Sequence, residues 1–283
     1  MPSAYWYYGL VVISLVLLAA SLVYKRDWKL LVLQLNVAAL IHPFEIVVLI
    51  LLNAYRYSPG ILANPILDNY IGSYISNSFI VPASAIAINA FSLSWGYALG
   101  IAAIFTGIDW YFTTLGIYQH FWWKSVYTGI GLSILYAISR WIWAGLQEKR
   151  PHLIFRLAVI YLTYSPLHNL LVFLVNKGGQ LFIFQMPWSA GDPQKYHQGF
   201  FFLYLLITSI IITLCVGLKL RLRYRLLGIA VLALAYWTLE QYHIFLPVVA
   251  DISAWQLVLV PIIVVPVVVC LFRVAALDYL FPR

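Results

Sequence analysis

Little of this sequence carries charge. Asp, Glu, Lys and Arg make up 9% of its 283 residues, against about 25% in a soluble domain. With 64% of the residues hydrophobic, a water-soluble fold would leave large apolar patches exposed and would aggregate. Acidic residues are fewer than basic ones, 9 against 17, giving a formal charge of +8. That excess does not point to nucleic acid. The basic residues fall in short clusters between apolar runs, where the anionic lipids of a cytoplasmic leaflet suffice as partner. Cysteine is limited to Cys215 and Cys270, both inside apolar runs. They read as small core residues, not as a disulfide or metal pair, and leave the redox compartment open. A phosphate-cradling Gly motif, a nucleophile elbow and a Cys/His zinc spacing are all missing. So are a low-complexity tract, a soluble domain and any internal repeat legible in the text. Met1 to Gly9 lacks a positive n-region, so the first apolar run is expected to be an uncleaved helix.

What is present is a series of apolar runs of membrane-crossing length. They are Tyr5–Tyr24, Trp28–Asn53, Tyr70–Leu93, Trp95–Tyr118, Ser125–Leu146, Leu153–Val175, Phe200–Leu218, Leu226–Val249 and Trp255–Ala276. Tyr, Trp and Phe, 17% of the chain, suit the interfaces where amphipathic rings settle. The expected fold is therefore all-α: a polytopic transmembrane helix bundle of about nine spans, with residues 1–283 as one integral membrane domain.

Basic residues set the expected orientation. Lys25, Arg26 and Lys29 follow the first run, Lys149 and Arg150 the fifth, and Lys219, Arg221, Arg223 and Arg225 the seventh. By the positive-inside rule these loops are cytoplasmic, with the N-terminus outside and the C-terminus inside. Two outer loops are longer. Ala54–Asn69 carries the turn signals Pro59-Gly60 and Asn64-Pro65, and Asn176–Gly199 encloses the apolar stretch Leu181-Phe182-Ile183-Phe184. That stretch reads either as an interface-lying segment or as a re-entrant lid.

Ionisable groups inside such runs are costly in lipid and mark functional sites by default. Six lie deep within the runs, all on even-numbered ones, while Arg140 and Arg273 on odd-numbered runs fall near cytoplasmic ends. His42 and Glu45 lie 14 and 17 residues past Trp28, Asp109 lies 14 past Trp95, His168 lies 15 past Leu153, and Glu240 and His243 lie 14 and 17 past Leu226. The helical rise puts them roughly 20–26 Å above the inner edge, in the outer half of the membrane. They are expected to share one polar pocket, with Asn169 beside His168. His42 with Glu45, and Glu240 with His243, are i,i+3 pairs that share a helix face. Asp109 has Thr106 and Thr113 for neighbours on its own helix. Pro43 and Pro166 interrupt spans next to His42 and His168, each freeing a backbone carbonyl. His120, His152 and His197 fall in loops and are expected to be solvated.

Three uses of such a pocket stay open. Proton handling linked to transport or sensing of a small solute is favoured, because chains of Asp, Glu and His carry protons in transporters. The alternative is an intramembrane enzyme, metal-dependent or acid–base, acting on a lipid or isoprenoid. A structural or assembly role is third. The Glu240-x-x-His243 spacing resembles half of a carboxylate di-metal site, but no obligatory metal is expected. His42, Glu45, Glu240 and His243 are the weak candidates, and no cofactor follows from the sequence.

One region carries a resemblance. Asp68-Asn69-Tyr70-Ile71-Gly72, Pro82, Gly107 to Phe112 and Leu115 to Lys124 together resemble small uncharacterised multi-pass membrane proteins of spore-forming Firmicutes. The resemblance implies a bacterial cytoplasmic membrane, an acidic residue at the position of Asp109, and no particular activity.

Overall fold

The computed structural model describes residues 3–149, 151–179, 182–185, 193–218, 220–247 and 256–280. Helix dominates them. In chain order the helices are α1 (Ala4–Lys25), α2 (Lys29–Leu51), α3 (Pro65–Ala90), α4 (Trp95–Thr114), α5 (Ser125–Gln147), α6 (Leu153–Gly179), α7 (Pro193–Gly217), α8 (Leu222–Gln241) and α9 (Gln256–Val274). Seven of the helices, α1–α3 and α5–α8, are long and apolar enough to cross a membrane. Four strands of three residues join them: β1 (Tyr55–Tyr57), β2 (Tyr118–His120), β3 (Phe182–Phe184) and β4 (Phe245–Pro247).

Several boundaries differ from expectation for local reasons. α3 begins at Pro65, five residues before the expected Tyr70. Asn64 caps it by accepting hydrogen bonds from Ile66 N and Leu67 N at 2.9 and 3.3 Å, and proline tolerates the first helical position because its missing N–H would be unsatisfied there anyway. α8 ends at Gln241, well short of Val249. His243 adopts φ +55, and its neighbour Ile244 bonds back to Leu239 O. That reversal turns the chain into β4. Phe182-Ile183-Phe184, expected as an interface-lying segment or a re-entrant lid, forms a short strand that pairs antiparallel with Phe245–Pro247.

The chain forms two compact units, Met1–Glu148 and Lys149–Arg283. In the first, β1 pairs antiparallel with β2, Tyr55 opposite His120 and Tyr57 opposite Tyr118. The Tyr7 phenol of α1 donates to Ile117 O at 3.1 Å beneath this pair. Tyr7, Ser14 and Ser21 form the buried stripe of α1, which packs on α3. Small polar residues at a seven-residue repeat permit that close approach. At the opposite end Lys29 Nζ donates to Gln147 at 3.2 Å, and the Arg140 guanidinium bonds Leu93 O while lying over Trp95.

The second unit repeats the first without α1. Helix, strand, helix, helix, strand, helix follow in the same order, and each helix pairing of α2–α5 recurs among α6–α9. The register is constant. Ser58 N donates to Ile117 O at 3.0 Å, and Gln185 N donates to Ile244 O at 2.8 Å. Gly116, at φ +70, ends α4 as His243 ends α8. An internal repeat, not legible in the text, is therefore present in the architecture.

Candidate functional site

The first unit contains a cavity of about 380 Å³, within the range of small-molecule sites. Two π-helical segments shape its wall, Ile46–Leu51 in α2 and Ile75–Ile80 in α3. Such widened turns re-aim the side chains around them and recur at functional sites. Glu45 stands at the start of one, and Ser76 and Asn77 lie in the other. Gly72 lets β1 close down on α3, since a Cβ there would sit 2.5 Å from Tyr57 Cβ.

Two carboxyl groups face this chamber, and both are nearly enclosed: Glu45 is 7% exposed and Asp109 8%. Glu45 accepts a hydrogen bond from the Tyr55 phenol at 2.6 Å on one oxygen and from Ser73 Oγ at 2.9 Å on the other. Asp109 accepts from Ser125 Oγ and from Thr128 Oγ1, each at 2.6 Å. His120 Nε2 lies 3.0 Å from Asp109 Oδ1, an ion-pair distance when the ring is protonated. Thr106 and Thr113 do not serve Asp109, because their hydroxyls bond Ala102 O and Trp110 O of their own helix. The remaining wall is aromatic and aliphatic, with Tyr57, Tyr118, Trp123 and Tyr127 near Tyr55 and Ile134 and Ile138 on α5.

The expected site residues divide between the two units. Glu45 and Asp109 line the chamber together. His42 is tied to α3 instead, with Nε2 3.0 Å from Ser78 Oγ and its ring 5.5 Å from that of Tyr74. In the second unit His168 is fully buried between the rings of Tyr164 and Tyr204, and its Nδ1 and Nε2 lie 3.4 Å from Ser209 Oγ and Tyr204 Oη. Asn169, next on α6, is half-buried. Glu240 is half-buried in the last turn of α8, and His243 is exposed beyond the helix end. The shared helical face expected for that pair does not form, because the helix stops between them.

Other readings need correction. His120 and His197 are not solvated loop residues: the first meets Asp109, and the second accepts a hydrogen bond from Phe184 N at 3.0 Å. Tyr55, Tyr57, Tyr118, Ser73, Ser125 and Thr128 belong to the site and were missed. Tyr55-Arg56-Tyr57 is too short for its alternation to mark a strand, whereas Ser125 with Thr128 is an i,i+3 pair at a helix start. Among the described residues, no group of three or more His, Cys, Asp or Glu side chains is placed to hold a metal ion.

No family model matches this chain, and no curated protein or solved structure does so either. The chemistry of the chamber is therefore read from its own walls.

Proposed function

We propose that this chain is a multi-pass protein of the bacterial cytoplasmic membrane that admits a small solute to the first-unit chamber and couples it to protons, in transport or sensing. One observation carries the reading. Glu45 and Asp109 face a single cavity of ligand size, Glu45 held by hydroxyl donors and Asp109 by two hydroxyls with His120 beside it. A buried carboxyl with neutral partners is stabilised by whichever cation reaches it. The strand pair lies at the chamber's end of the unit, while Lys29 and Arg140 mark the other end. The positive-inside rule then turns the chamber toward the outer face.

The aliphatic wall at Ile134, Leu135 and Ile138 also suits a hydrocarbon tail and favours the enzyme reading, with Glu45 or Asp109 as general acid. Cysteine accessibility separates these readings. In a chain carrying Cys215→Ser and Cys270→Ser, a single cysteine replaces Leu135 and is probed with a membrane-impermeant maleimide from each side of sealed vesicles. Transport requires labelling from both sides. Labelling from one side alone leaves sensing or catalysis, and full protection from both sides ends the solute reading.

A further inference from the structure

The two units form an internal experiment. Constant register sets Tyr55 against Phe182, Tyr57 against Phe184, Tyr118 against Phe245 and Asp109 against Tyr236. The second strand pair closes on phenylalanine, and Phe182, Phe184 and Phe245 are all buried there. Packing this architecture therefore needs no hydroxyls at those positions and no acid in the middle of the helix before β4. In the second unit Tyr204 is buried against Tyr236 and Phe184. Tyr236 thus occupies the position whose counterpart in the first unit, Asp109, lines a cavity. A wall bearing hydroxyls and an acid in one copy, against phenylalanine and tyrosine at the matching positions in the other, is not a requirement of folding.

Resting on the proposed function above, we propose that the first-unit chamber binds an organic cation with an apolar body. Among the described residues two carboxyl groups line the cavity, and no Lys, Arg or His does. Glu45 is held by the neutral donors Tyr55 and Ser73, so its charge has no built-in counter-ion there. Tyr55, Tyr118, Tyr57 and Trp123 cluster beside it, with ring centroids 4.8–5.7 Å apart between neighbours. Electron-rich rings next to an anion attract a weakly hydrated cation, and the aliphatic wall takes its apolar body. An anionic solute would meet two carboxyl groups without a cation to answer it. A wholly neutral one would leave them unused.

The test compares two probes of one shape, benzyltrimethylammonium and its uncharged carbon analogue neopentylbenzene. Binding to the purified full chain in nanodiscs is followed by tryptophan fluorescence, since Trp123 lines the chamber. The cation should bind at least about tenfold more tightly, a difference of about 1.4 kcal/mol. Glu45→Gln should remove most of that preference and leave neopentylbenzene unaffected. Asn77→Tyr, which places a bulky ring in the chamber wall, should leave the chain folded and abolish binding of both probes. Equal binding of the two probes by the unaltered protein overturns the cation assignment but leaves the chamber as a binding site. Tight cation binding that survives Asn77→Tyr places the ligand elsewhere, and both readings fall. The comparison on the unaltered protein decides the charge preference even if Glu45→Gln fails to fold.

Discussion

The Tyr55 phenol donates to Glu45 Oε2 over 2.6 Å, tying the first strand to the start of the π-helical segment of α2. Its counterpart in the second unit is Phe182, which is buried without a hydroxyl. Tyr55→Phe is therefore expected to fold and keep the strand pair, while leaving one oxygen of Glu45 without its donor. An unmade bond to a buried group costs about 1–3 kcal/mol. Thermal unfolding in detergent should show a loss in that range, together with impaired solute handling. A variant that is fully stable and fully active would remove Tyr55 from the site.

Asp109 is held by the next helix and not by its own. Asp109→Asn offers one acceptor oxygen where Ser125 and Thr128 each donate to a separate one, and it deprives His120 of its anion. A loss of about 1–3 kcal/mol is expected. Thr106→Val should stay within about 0.5 kcal/mol, because the Thr106 hydroxyl bonds only Ala102 O. The opposite ranking, with Thr106 the sensitive position, would mean that Asp109 is held along its own helix instead.

The helices were legible because lipid-facing helices declare themselves as long apolar runs. Their ends were less so. Asn64-Pro65 reads as a turn and as a helix start equally well, and only the Asn64 cap decides between them. Strands of three residues leave almost no periodicity to detect. Yet Tyr55–Tyr57 and Tyr118–His120 bring the site's aromatic wall to Glu45. A common depth on the even-numbered runs was drawn from ladders of rise per residue, which assume unbroken helices. α8 stops at Gln241, so the ladder fails for His243. The repeat escaped notice because few identities persist between the copies, with Trp110 and Trp237 or Ile117 and Ile244 among them, while the chamber residues themselves differ. Glu45 and Asp109 were legible as costly groups. Their donors Tyr55, Ser73, Ser125 and Thr128 were not, because only tertiary packing selects them from the many hydroxyls of the chain.

Asp68 anchors the loop that leads into α3. Its buried carboxylate accepts from Gly60 N at 2.8 Å, Ile61 N at 2.7 Å and Leu62 N at 2.9 Å. Gly60 takes φ +68, a conformation open to glycine at little cost. Asp68→Asn replaces one acceptor oxygen by an amide that faces a donor, so at least one of the three bonds is lost. Amide exchange at residues 60–62 should accelerate at least about tenfold, as expected for a loss of 1.4 kcal/mol or more in local opening. Unchanged protection would show that the carboxylate is a bystander to the loop.

The strand tyrosines make the last prediction, which concerns alkaline pH. Burial pushes the phenols of Tyr55, Tyr57 and Tyr118 well above their ordinary value near 10.0, and the neighbouring Glu45 charge adds to this for Tyr55 and Tyr57. All three lie on the strands, outside the helical spans. A phenol with a raised value in the folded chain stays protonated while its unfolded counterpart loses the proton. The stability linked to these groups is therefore full below about pH 10 and is lost as the pH rises from there through the folded values. Melting temperature should hold up to about pH 10 and then fall. A variant with all three changed to Phe, the residue at each counterpart position in the second unit, should start lower and fall less steeply over the same range. Tyrosinate absorbance adds a second readout. The difference between the two proteins should show these phenols ionising above pH 10, together with unfolding. Ionisation near the ordinary value, with the fold intact, would mean that the chamber wall is open to water and that the carboxyl groups behind it are not enclosed.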